Sequence, residues 1–136
     1  DGGDMQLSAF ALLASVLLGG VAEAQSLSPM HNKGTTPSQV KGFSLTVGNP
    51  YKQRMTFILV AMEPGFATPA AGTEVKPASL TLAPGYSRRV VFAFKIPPGQ
   101  KERTIGLCVM PKDLPGAVLP RVCGTYTGQL LGGDGG

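Results

Sequence analysis

Few residues of this 136-residue chain have side chains suited to chemistry, and two of them stand close together. Cys108 and Cys123 bracket most of the stretch "LCVMPKDLPGAVLPRVCG", residues 107–124. They are not spaced as Cys-x-x-Cys, which excludes a thioredoxin-type redox pair. His31 is the single histidine, so no histidine cluster can hold zinc, and no local Ser-His or Cys-His pairing marks a nucleophile. Met30 beside it, with Met55, Met62 and Met110, offers soft ligands to copper; the competing reading is that these methionines fill gaps in a core without tryptophan. The acids Glu63, Glu74, Glu102, Asp113 and Asp134 sit in or beside turn signals, at no spacing that suggests a general acid paired with a general base. No GxxxxGK loop is present to cradle phosphates. This inventory argues against an enzyme, and no cofactor or metal is expected.

The elements that position the cysteines are strands. Glycine (19) and proline (12) punctuate short apolar runs in which residues alternate with period two, the texture of an all-β domain. Phe43, Leu45 and Val47 share one face in "GFSLTVGNP". The run "RMTFILVAME" is apolar on both faces and reads as a more buried strand. A loop from Pro64 to Pro77 carries at most a short edge strand around Val75. Leu80 and Leu82 alternate into the turn Pro84-Gly85, and Val90, Phe92, Phe94 and Ile96 follow on one face. Two more runs flank the cysteine loop, and "SLSPMHNKGTTPSQV" supplies one broken first strand. Six to eight short strands of this kind predict a single Greek-key β-sandwich over residues 25–131, with a flexible Gly-rich tail at 132–136.

The preceding segment is of another kind. Leu7–Val21 is a continuous apolar run followed by Ala22-Glu23-Ala24, the small-x-small pattern of a signal-peptidase site. Residues 1–24 are therefore expected to be a signal peptide, cleaved before Gln25, with a retained anchor as the alternative. The run is short for a membrane span, so no stable span is expected after cleavage, and the destination is periplasmic or secreted. All twelve Lys and Arg lie after residue 24 whereas three of the eight acids lie before it, so residues 25–136 carry a formal +7. The cations are scattered, with no aromatic-interleaved basic run, which argues for solvated strand faces and against nucleic acid.

Parity then separates the roles within the cysteine hairpin. Ile105, Leu107 and Val109 form the apolar face of one strand, leaving Cys108 on the other with Thr104 and Gly106. Cys123 shares its side with Arg121, Thr125 and Thr127, while Val122, Tyr126 and Leu130 take the opposite one. An antiparallel hairpin around "PKDLPGAVLP" would set the two thiols across from each other, at a separation a disulfide can close. A structural cross-strand disulfide is the expectation, in an oxidising compartment.

Several of these segments together resemble the N-terminal Ig-like domain of the PapD-like periplasmic chaperones of pilus assembly. "SLTVGNP" (Ser44–Pro50) carries a Val-x-Asn motif, and "PASLTLAPGYSRRVVFAFKIP" (Pro77–Pro97) has a Leu-x-Leu-x-Pro-Gly segment leading into an apolar strand. The likeness extends over residues 26–131. It implies an Ig-like (PapD-like) β-sandwich and a non-enzymatic protein that binds pilin-like or surface subunits through a strand edge. It further implies that the last strand, residues 121–131, presents Val122, Tyr126 and Leu130 to the partner, with Arg121 and Lys33 as candidate anchors for a subunit's carboxylate. Gly124 and Gly128 depart from the pattern by interrupting the apolar ladder, and no second Ig-like domain follows in the sequence. A structural or adhesive cell-surface module is the alternative, and a periplasmic copper-binding protein a more distant one. Oligomeric state is not legible.

Overall fold

The structure, a computed structural model, describes residues 26–113 and 121–132. The expected signal peptide, nearly all of the glycine tail and the tip of the cysteine hairpin lie outside the described residues. Among the described residues nine strands form: β1 (Leu27–Ser28), β2 (His31–Thr36), β3 (Val40–Gly48), β4 (Met55–Met62), β5 (Thr73–Lys76), β6 (Ser79–Leu82), β7 (Ser87–Lys95), β8 (Glu102–Pro111) and β9 (Val122–Leu130). They make two sheets, one ordered β1-β3-β7-β5 and the other β2-β9-β8-β4-β6. The expected all-β sandwich is present. Its strand count exceeds the expected six to eight because the broken first strand divides between the two sheets and the segment around Val75 pairs fully with β7.

The alternation decides which face is buried. Phe43, Leu45 and Val47 of β3 and Val90, Phe92 and Phe94 of β7 turn inward from one sheet; Phe57 and Leu59 of β4 and Ile105, Leu107 and Val109 of β8 turn inward from the other. Each of these large side chains removes enough apolar area from water to contribute about 1.5–3 kcal/mol. Phe43, Phe92 and Tyr126 meet at the centre, with Tyr126 5.6 Å from the Phe43 ring and 5.8 Å from Phe92. Those spacings are the tilted and edge-on contacts that aromatic quadrupoles favour.

One end of the sandwich is fastened by the asparagine of the Val-x-Asn motif. Asn49 is buried, and its side-chain amide donates to the carbonyls of Gln53 and Leu82, 2.8 Å each, while its oxygen accepts from the Tyr51 amide at 2.9 Å. Its backbone pairs with Tyr86 and Gly85. A single residue thus joins the loop after β3 to the turn between β6 and β7, with every buried polar atom of its side chain satisfied.

At the other end Arg103 plays the corresponding part. Its guanidinium donates to the carbonyls of Lys95 and Ala71, 2.8 Å each, and to Glu63 at 3.3 Å, so that the loop after β4 and both sheets are held by one fork. The planar five-donor group suits such divergent acceptors.

Candidate functional site

The cysteine hairpin and the first strand define the region where the sequence placed its candidate residues. Cys108 and Cys123 form a disulfide, and they stand directly opposite in the β8–β9 register. Their Cα atoms are 4.1 Å apart, which marks the closer, non-hydrogen-bonded kind of antiparallel pair. The backbone N–H and C=O of Cys123 therefore point away from β8. Neighbouring bonds agree with this parity: the Leu130 amide donates to Lys101 on the β8 side, whereas the Thr125 amide donates to Met30 on the other. Odd-numbered residues of β9 direct their backbone groups toward the side on which β2 lies.

β2 covers only part of that side. It runs parallel to β9 from His31 opposite Thr125 to Thr36 opposite Leu130. Upstream the chain leaves this sheet at Pro29, and β1 pairs with Val47 and Thr46 of β3 instead. From Arg121 to Gly124 the edge of β9 consequently has no strand beside it among the described residues. Gly124 explains how the chain can turn so tightly here: a Cβ on it would lie 2.6 Å from the Met30 carbonyl. Only a residue without a side chain admits that approach.

The residues assigned to partner contact in the sequence fall into different places. Tyr126 is fully buried, its hydroxyl donating to the Pro29 carbonyl at 2.6 Å, and burial pushes its phenol up to about 12. In this fold it is a core residue, so the expectation that it is presented to a partner is corrected. Alternation showed which residues share its face, but that face is the one turned inward. Leu130 is half-buried beneath the pairing with Thr36, and Val122, half-buried at the start of β9, packs on the core beside the open edge.

Arg121 and Lys33 do not converge. Lys33 lies opposite Thr127, six residues along β9 from Arg121, which places their backbones about 20 Å apart at the usual strand rise. Arg121 moreover donates to the Phe66 carbonyl at 2.8 Å, holding the loop after β4 against the outer face of β8. Two such side chains cannot grip one carboxylate.

The glycines that interrupt the last strand have structural reasons. A Cβ on Gly128 would meet the Lys41 side chain at 2.8 Å and the Phe94 ring at 3.3 Å. Lys41 lies on the inward parity of β3, its stem laid across Gly34 and Gly128 and its ammonium 5.0 Å from the Phe43 ring centroid. It closes the gap between the sheets with its methylenes and keeps its charge at the surface. Sequence reading passed over Lys41; the signal was a lysine two residues before Phe43, in phase with the apolar face.

The soft-ligand set does not assemble. His31 Nδ1 is 2.7 Å from the Thr125 hydroxyl, and Met62 lies in the same row of the sheet three strands away, roughly 14 Å at normal strand spacing. Met55 faces the core. Among the described residues no three His, Cys, Asp or Glu side chains gather in a metal-binding group, and no helix is long and apolar enough to cross a membrane.

A two-sheet sandwich whose first strand starts on one sheet and crosses to lie parallel to the last strand of the other is a PapD-like Ig fold. Solved structures with this fold match the chain. The Escherichia coli chaperone DraB is 19% identical, with a TM-score of 0.60 over 74% of this chain and 52% of its own. A chain from the complex of the Salmonella enterica SafA pilin with the SafB chaperone is 16% identical, with a TM-score of 0.59 over 76% of this chain and 53% of its own. The ASH/PapD-like domain of human CEP192 is 16% identical, with a TM-score of 0.57 over 76% of this chain and 82% of its own. This chain spans about half the length of the bacterial structures it matches. No protein-family model and no curated protein matches it.

Proposed function

We propose that this chain is an exported, non-enzymatic protein-binding domain that acts as a PapD-like chaperone or accessory factor in the assembly of pili or surface fibres. The open edge of β9 from Arg121 to Gly124 carries the reading. There the outward N–H and C=O of Cys123 are available to an added strand in line with β2, and backbone pairing of this kind supplies affinity while flanking side chains set register. Val122 is the apolar contact beside it, and the disulfide fixes the edge in place. The disulfide, and the fold's occurrence in a periplasmic chaperone, support an oxidising compartment outside the cytoplasm for this role.

The test is co-purification with a pilin-like subunit whose sandwich lacks its final strand. Arg121→Pro removes an outward amide without touching the β8 ladder, and is expected to abolish capture; Arg121→Ala, which removes only the guanidinium, is expected to retain it. Equal capture by both variants and the unmodified chain would sink the proposal. A structural or adhesive surface module is favoured instead by one observation: the chain matches a single sandwich without a second Ig-like domain in the matched structure, PapD-like domain 7 of human CEP192, over 82% of its length. Binding to an already complete subunit or to a surface polymer, with no preference for the incomplete one, would select that reading.

A further inference from the structure

Charge is distributed unevenly along the long axis of the sandwich. β3 ends, and β4 and β7 begin, at the end fastened by Asn49. The side chains of Lys52, Arg54, Arg88, Arg89 and Lys112 ring this end, all of them exposed, and none is ion-paired among the described residues. Tyr86 stands among them with 67% of its surface exposed. Asp113 is the one acid described there, whereas the opposite end sets Glu63, Glu74 and Glu102 among its cations Lys41, Lys95, Lys101 and Arg103, so its charge is nearly balanced. The chain also enters the domain at the basic end, since the Ser26 carbonyl accepts from Gly48 next to Asn49.

What precedes Ser26 gives that end an occupant. The apolar run Leu7–Val21 is separated from it by four residues, Ala22–Gln25, which reach about 14 Å at full extension. While that run is attached and lodged in a bilayer, the ring of cations and the exposed tyrosine are held within a few Debye lengths of the lipid headgroups. We infer that the Asn49 end of the sandwich is a membrane-docking surface for anionic lipid, engaged while the N-terminal apolar segment is attached. Lys and Arg near an anionic surface attract it, and an exposed tyrosine suits the interface between water and acyl chains. A soluble acidic polypeptide would satisfy the charges equally, but only a bilayer is brought to this end by the chain's own connectivity.

The full chain is reconstituted in phosphatidylcholine vesicles and in vesicles of phosphatidylcholine and phosphatidylglycerol at three to one, each containing a quencher-labelled lipid. A fluorophore is placed on Gln53→Cys, at the basic end, or on Gln100→Cys, at the opposite end. The Gln53 label is expected to be quenched in the anionic vesicles and much less in the neutral ones, and the Gln100 label in neither. Arg88→Glu with Arg89→Glu is expected to lower the ratio of docked to undocked label about fivefold for each positive charge removed. Should those variants lose the disulfide or the β-sheet spectrum, raising salt on the unmodified chain serves in their place and must undock the Gln53 label. Quenching that is equal at both positions, or indifferent to phosphatidylglycerol, overturns the inference. So does a response of the Gln53 label to polyglutamate in solution without quenching on anionic vesicles.

Discussion

The hydroxyl of Tyr126 donates a 2.6 Å hydrogen bond to the carbonyl of Pro29, the residue at which the chain leaves one sheet for the other. The last strand thereby holds the first at its crossing point. Tyr126→Phe leaves that carbonyl without its partner and is expected to lower stability by about 1–3 kcal/mol in urea unfolding. An unchanged midpoint would show that the bond is not needed to hold the crossing.

The same residue sets a pH dependence. Its pKa is about 12 in the folded protein and near 10 when unfolded, so the folded state keeps the proton that the unfolded state releases. The stabilisation is fully present below pH 10 and is lost as pH rises toward 12, by on the order of 2 kcal/mol. Unfolding followed between pH 9 and 12 should display this decline, and Tyr126→Phe should remove its share.

The disulfide joins neighbouring strands at a sequence separation of 15. Replacing both cysteines by alanine is expected to cost about 3 kcal/mol by the chain-entropy argument. If the double variant unfolds at the same denaturant concentration as the oxidised protein, the clasp is dispensable for stability.

Phe66 packs over Gly106, where an added Cβ would overlap the ring. Gly106→Ala should destabilise by about 1–3 kcal/mol, and much less when Phe66→Ala has already made room. A coupling energy near zero in that double-mutant cycle would show that the loop after β4 is not seated on β8.

Asn49→Ala removes three hydrogen bonds at a buried junction of two loops. At least about 2 kcal/mol of stability should be lost, because the carbonyls of Gln53 and Leu82 are left without this donor. Hydrogen exchange in the turn 83–86 should quicken along with it.

The fold was legible in the sequence wherever a property repeats with the strand period. Phe43, Leu45 and Val47 face inward as their alternation predicts, and so do Val90, Phe92 and Phe94. Cys108 and Cys123, placed on one parity of adjacent strands, are paired as that parity required. Tyr126 was assigned to the correct set of neighbours, but alternation carries no mark of whether a strand's apolar face closes the core or greets a partner, and in this fold the Tyr126 side chain is buried in the core. Gly124 and Gly128 looked like defects in a binding ladder, and are instead sites where Met30 and Lys41 approach closely.

Alternation, turn residues and the two cysteines by themselves determined that the chain is a sandwich, which side chains share a face, and which thiols can meet, since each depends on the two-residue period of a strand. Tertiary structure alone decided that β2 stops opposite Thr125 and leaves the backbone of Cys123 at an open edge, that Lys33 and Arg121 stand far apart, and that exposed cations gather at the Asn49 end. Those outcomes depend on which strands become neighbours, and neighbours in a sheet are chosen by contacts between residues far apart in the chain.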